Sequence, residues 1–106
     1  MTAIPIALVQ FDAIPECAEA NRAAMERLAA RAVDLGARWI LFHECSVCDY
    51  NPNLARFAEA VTHGPSTTRM TALAARLGCF IGFGLAEAAG GRRRPEACLV
   101  RTARIP

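Results

Sequence analysis

The stretch Gly36-Ala37-Arg38-Trp39-Ile40-Leu41-Phe42-His43-Glu44 runs from a glycine through four bulky apolar residues to two titratable side chains. Trp39 to Phe42 is too short for a helix and has the bulk of a central strand, so the carboxylate of Glu44 is expected where that strand ends. Upstream, residues 17–35 are dense in Ala, Glu, Arg, Met and Leu, all strong helix formers. Ala24, Leu28, Ala32 and Leu35 recur at helical spacing and predict the buried stripe, with Arg22, Glu26 and Arg31 pointing elsewhere. Gly36 supplies a left-handed stop. Before the break at Ile14-Pro15, residues 4–11 are rich in Ile, Leu and Val and predict a buried strand, with Pro5 tolerated near its start.

Downstream, residues 45–65 carry Asp49, Asn51, Pro52, Asn53, Gly64 and Pro65 and are expected to be mostly loop, with a helical turn around 54–60. A second helix follows Gly64-Pro65-Ser66, where Met70, Leu73, Ala74 and Leu77 fit one helical face and Gly78 ends it. Residues 79–84 predict a third strand. Gly90-Gly91 marks a turn, and residues 97–100 a fourth strand antiparallel to the third. Strand, helix, strand, helix, strand, strand is an α/β order, with helices packed on a mixed sheet.

The 106 residues accommodate one small domain. With 54% hydrophobic and 21% charged residues the composition is globular, and a net charge of +2 is too small to indicate nucleic acid. No apolar run reaches the roughly twenty residues of a membrane span. Residues 1–6 lack a basic region, and Gln10 and Asp12 interrupt the apolar stretch too early for a signal peptide, so a cytoplasmic protein is expected. All twelve basic residues are arginine, which excludes Schiff-base chemistry and a phosphate-loop lysine within these residues. The five cysteines are expected to be reduced thiols. Cys45 and Cys48 form a lone C-x-x-C pair without zinc-finger spacing; a redox or metal role is weaker than ordinary loop or core thiols.

Ligands of open α/β sheets bind beyond the carboxyl ends of the strands, which is where Glu44 falls. Partial desolvation there would raise its affinity for a proton toward general-base use, and an exposed glutamate bonded to a nearby backbone amide is the plainer alternative. His63 reads as a loop histidine, and Arg92-Arg93-Arg94 as a solvated hairpin.

Several blocks in order carry a resemblance: residues 6–12, Asn21 at the start of a long helix, residues 36–44, Asp49-Tyr50, residues 64–68, and Leu77-Gly78 leading into residues 80–87. Together they resemble the opening of the nitrilase or carbon–nitrogen hydrolase family. The resemblance implies the N-terminal part of an αββα sandwich and a single partial domain over residues 1–106. It also implies hydrolysis of small nitriles, amides or N-carbamoyl compounds by a glutamate, a lysine and a cysteine, with no cofactor. Glu44 matches the glutamate, the general base toward the cysteine thiol, and Tyr50 matches a loop tyrosine, for which lining the substrate pocket and an interface or packing role are the two readings. His43 stands where the family usually has proline, and Asp49 where it usually has glycine. The matching lysine and nucleophilic cysteine are expected beyond Pro106, so whether these residues are an enzyme stays open, and residues 1–106 alone are expected to be inactive. The alternative is a non-catalytic α/β interaction module. Half a sandwich leaves an apolar sheet face uncovered, which predicts self-association or pairing with a full-length relative.

Overall fold

The computed structural model describes residues 3–89 and 92–103. Its elements follow the expected order: β1 (Ile6–Val9), α1 (Ala18–Asp34), β2 (Trp39–Phe42), a short 3₁₀ turn (Leu54–Phe57), α2 (Pro65–Leu77), β3 (Phe80–Ala89) and β4 (Arg92–Ala103). They form one four-stranded sheet in the order β1-β2-β3-β4. β1, β2 and β3 are parallel, and β4 returns antiparallel on β3. Parallel neighbours need crossovers, and α1 and α2 supply them. The fold class is therefore the α/β mixed sheet the sequence predicts. No described helix is long and apolar enough to cross a membrane. The turn expected at Gly90-Gly91 lies outside the described residues, as do the side chains of Arg92 to Arg94.

Both helices pack on one sheet face. Met25 and Ala29 of α1 and Met70, Leu73 and Ala74 of α2 meet Ile40, Phe42, Ile81, Phe83 and Leu85 in a single buried cluster. On α1 the inward line is Asn21, Met25, Ala29 and Ala32, so the expected stripe is displaced around the helix. Leu35 is 81% exposed, and Ala24 and Leu28 are only partly buried. The reason is compositional: alanines lie on every side of α1 and fix its rotation weakly, whereas a polar Asn21 turned inward sets it. Gly36 (φ +100°) and Gly78 (φ +68°) hold the left-handed conformations that end the two helices, which a side chain would strain. A salt-bridge set ties the helices to each other, with Arg69 of α2 contacting both Glu19 (2.6 Å) and Glu26 of α1. Arg69 and Arg22 hold the Glu19 carboxyl below its ordinary range.

Among the described residues no helix packs on the opposite sheet face. Ile4, Ile6 and Leu8 are 58%, 56% and 79% exposed, and Trp39 stacks on Phe80 at 4.9 Å on the same side as Ile6 and Leu8. The strand expected to be buried over residues 4–11 is thus a four-residue edge strand, half open, because β2 covers only one of its sides. β3 is longer than expected, running to Ala89, because β4 pairs with nearly its whole length.

Asn21 is the one buried polar side chain of α1 and makes three hydrogen bonds. Its Oδ1 accepts from the Ile14 amide (2.8 Å), and its Nδ2 donates to the carbonyls of Ile14 and Val47, both at 2.9 Å. Asn21→Ala is expected to destabilise the fold by about 1–3 kcal/mol, because it strands backbone groups of two loops at once. Urea unfolding followed by circular dichroism checks this, and an unchanged midpoint would refute it.

Candidate active site

Glu44 is placed by the end of β2. His43 follows the strand and spans to the end of β1. Its ring lies 5.0 Å from that of Phe11, Nε2 is 3.1 Å from the Phe11 carbonyl, and Nδ1 is 3.1 Å from the Glu44 carbonyl. The chain then turns sharply at Cys45, which has φ +53° and is fully buried. Asp49 closes the turn, its amide donating to the Cys45 carbonyl at 2.8 Å. Asp49 itself has φ +55°, the backbone a glycine adopts without cost and an aspartate tolerates better than most residues. Asp49 thus holds a left-handed turn, and its carboxylate accepts from the Tyr50 amide at 2.8 Å.

β3 clamps this loop from beside β2. The Gly84 amide donates to Ser46 Oγ (3.2 Å), and the Gly84 carbonyl accepts from the Val47 amide (3.1 Å). A Cβ at Gly84 would overlap the Cys45 nitrogen and lie 3.0 Å from the Glu44 carbonyl carbon. Farther along β3, Glu59 takes over the pairing: its amide donates to Ala86 (2.9 Å) and its carbonyl accepts from Ala88 (2.8 Å). β2, the loop after Glu44 and the segment at Glu59 thus succeed one another along one side of β3. Glu59 is buried, and its carboxylate accepts from the amide (2.7 Å) and hydroxyl (2.6 Å) of Ser66 in the first turn of α2, with Arg22 3.6 Å away. The loop that carries Glu44 is therefore held at both ends.

The Glu44 side chain, by contrast, is exposed. The desolvation expected at a strand end is absent because the chain turns inward at Cys45 and no layer covers the sheet on that side. The structure brings Tyr50 to Glu44. The phenol donates to the Glu44 carboxylate, and this bond, followed by burial and the carboxylate's charge, pushes the Tyr50 hydroxyl above its ordinary range. Tyr50 is 55% exposed.

The cysteines divide. Cys17, Cys48 and Cys79 are free thiols, whereas Cys45 is disulfide-bonded, so the expectation of five reduced thiols fails at Cys45. Cys45 is buried against β3, where packing and not sequence spacing chooses its neighbour, and the C-x-x-C pair does not act as a unit. Among the described residues no group of three His, Cys, Asp or Glu side chains is arranged to hold a metal ion. Burial, reinforced by Glu59 and Asp49, pushes the Cys48 thiol up to about 11. His63 is a loop residue whose Nδ1 lies 3.0 Å from the Thr62 hydroxyl. Gly84 and Ser46 are the site-shaping residues that sequence reasoning missed; the signal for Gly84 was a glycine inside a strand pattern, which marks close backbone approach.

A family model, described as carbon–nitrogen hydrolase, matches residues 5–101. The chain belongs to the carbon–nitrogen hydrolase family. Among curated protein sequences none matches. Among solved structures, the amidase of Nesterenkonia sp. AN1 is similar with a TM-score of 0.74 and 25% identity over 94% of this chain and 38% of the amidase. A cysteine-to-alanine variant of that amidase in complex with butyramide gives a TM-score of 0.73 and 25% identity, over 93% of this chain and 37% of the other. A glutamate-to-leucine variant, with the acetamide moiety of fluoroacetamide added covalently at the active site cysteine, gives 0.77 and 22%, over 93% and 37%. This carbon–nitrogen hydrolase chain therefore spans less than two-fifths of the solved amidases' length.

Gly84→Ala is expected to cost about 1–3 kcal/mol, because the added methyl must displace the Glu44–Cys45 peptide. Thermal unfolding measures the loss; a melting temperature equal to the parent's would show that the loop yields freely. At neutral pH a thiol-specific reagent such as Ellman's should label the exposed Cys17 rapidly and leave Cys48 unlabelled until the protein unfolds, because a thiol that ionises near 11 offers almost no thiolate.

Proposed function

We propose that residues 1–106 are a single partial domain, the N-terminal portion of an amidase-type carbon–nitrogen hydrolase, and that Glu44 is its general base. The observation that carries this reading is an exposed carboxylate on a clamped backbone, at the carboxyl ends of three parallel strands, in a chain that matches the family over residues 5–101. A base needs a fixed position and an open approach for its partner. In this reading the partner is a cysteine thiol supplied, with a lysine, by polypeptide beyond these residues.

The Glu44 carboxylate takes the proton of the thiol, and the sulfur attacks the substrate carbon. For an amide, a tetrahedral oxyanion forms and is stabilised by the lysine ammonium. Its collapse expels the amine, which leaves with the proton returned by Glu44, and a thioester remains. Water, deprotonated by Glu44, then releases the acid and regenerates the thiol. The Tyr50 hydroxyl donates a hydrogen bond to the Glu44 carboxylate, keeping its own proton, and forms part of the substrate wall. Small amides are the favoured substrate class, since the similar amidase is described with butyramide, while N-carbamoyl compounds and nitriles are the other members of the class. An interaction module without chemistry has the exposed Ile4, Ile6 and Leu8 in its favour, and on that surface the isolated chain would self-associate. The hydrolase reading accounts for the same surface, as the face left open when part of a sandwich stands alone.

Purified residues 1–106 are expected to show no turnover of butyramide. A fusion to the remaining part of the Nesterenkonia amidase is expected to hydrolyse it, and Glu44→Gln in that fusion to lower kcat by about 10²–10⁴-fold. Hydrolysis by the isolated chain, or a fusion indifferent to Glu44→Gln, would overturn the reading.

A further inference from the structure

His43, between β2 and Glu44, is half-buried, and its ring reaches across to the chain leaving β1. Nε2 lies 3.1 Å from the Phe11 carbonyl oxygen, and Nδ1 lies 3.1 Å from the Glu44 carbonyl oxygen. Both ring nitrogens therefore face acceptors. A neutral imidazole carries one N–H and bonds only one of the two, while its other nitrogen turns a lone pair toward the second oxygen. The imidazolium carries two N–H groups and bonds both. The ring thus spans two segments far apart in sequence, and it does so where the Glu44 carboxylate emerges. The charged and titratable groups of the adjoining segments are Asp12 next to Phe11, Arg27 of α1, which lines a cavity with both, and Glu44, Asp49 and Tyr50 in the loop. His43 forms no ion pair with any of them among the described residues.

We infer that His43 is a positioning residue for Glu44: as the imidazolium, its ring ties the Glu44 carbonyl to the Phe11 carbonyl and so fixes the place from which the carboxylate acts. The inference rests on the reading of Glu44 as general base. Asn21 and Gly84 restrain the loop at Ser46 and Val47, whereas His43 restrains the peptide of Glu44 itself. When the ring loses one proton, one of the two carbonyls is released. The tie is therefore complete on the acid side of the ring's titration and single-ended on the alkaline side. Misplacing a reacting group by about 1 Å costs on the order of 10²-fold in rate, so a restraint on the base's backbone acts on kcat more than on substrate binding.

Isotope-labelled residues 1–106 are titrated from acid to alkaline pH and followed by NMR. The backbone carbonyl carbons of Phe11 and Glu44 are both expected to shift in step with the His43 ring. Neither should do so in His43→Phe, which keeps an aromatic ring beside Phe11 and removes both donors. In His43→Gln the amide donates to the Phe11 carbonyl at every pH, so that carbonyl should no longer follow a titration. A ring that titrates with only one carbonyl following, or none, overturns the inference. In the fusion to the remaining part of the Nesterenkonia amidase, His43→Phe is expected to lower kcat for butyramide at least about tenfold with KM within about twofold. His43→Gln is expected to recover most of that loss and to abolish the inflection of kcat against pH that follows the His43 ring. A fusion that depends on Glu44 but not on His43 upholds the hydrolase reading and overturns the inference, even where both carbonyls respond. A fusion that is inactive, or indifferent to Glu44→Gln, counts against the hydrolase reading, and the carbonyl resonances then decide the tie alone.

Discussion

The buried amide of Asn21 is the interaction on which the rest of this structure hangs. One side chain in the first turns of α1 bonds to both backbone groups of Ile14 and to the carbonyl of Val47. It thereby joins the connection leaving β1, the helix that crosses over the sheet, and the loop that carries Glu44. A primary amide suits this place because it offers an acceptor and two donors in one plane without a charge, so it can be buried fully satisfied. Its inward orientation also sets the rotation of α1, bringing Met25 and Ala29 onto the sheet.

From that anchor the loop after β2 is restrained on each side. Asn21 holds Val47 from the helix layer, Gly84 holds Ser46 and Val47 from β3, and the Glu16 amide donates to the Cys48 carbonyl at 3.0 Å. Left-handed backbone at Cys45 and Asp49 lets the chain fold into this small space. The result is a rigid peptide beneath a solvent-exposed carboxylate. Burial is spent on the backbone, and the Glu44 side chain stays available. Glu59 has the opposite fate, because Ser66 and Arg22 occupy its oxygens and leave it a structural role.

The molecule has a closed face and an open one. Helices, ion pairs and the larger apolar cluster close one side of the sheet, while Ile4, Ile6 and Leu8 remain in water on the other. Solvent-exposed isoleucine and leucine on a strand give up the burial that would stabilise them, about 1.5–3 kcal/mol for each such side chain when fully buried. Together they form an apolar face open to a partner. Membership of the carbon–nitrogen hydrolase family, with the chain spanning less than two-fifths of the solved amidases, is consistent with that geometry.

Much of this was legible in the residues themselves. The apolar run Trp39 to Phe42, the alanine-rich helix closed by Gly36 and the helix between Pro65 and Gly78 each announce their type through local backbone preference, which neighbouring residues suffice to set. The position of Glu44 at a strand end follows from the same local pattern, and the proposal of Glu44 as general base came from a resemblance carried by blocks of residues in order along the chain. The rotation of α1, the openness of β1, the clamp by Gly84, the disulfide bonding of Cys45 and the exposure of Glu44 were not legible. Each depends on contacts between residues far apart in sequence: Asn21 with Val47, Gly84 with Cys45, β1 with a neighbour on only one side. The sequence by itself determined which segments are strand or helix and where the carboxylate falls, because those are short-range preferences. Only the tertiary structure decided what is buried and what is left open, because burial is a property of the partners that distant segments find.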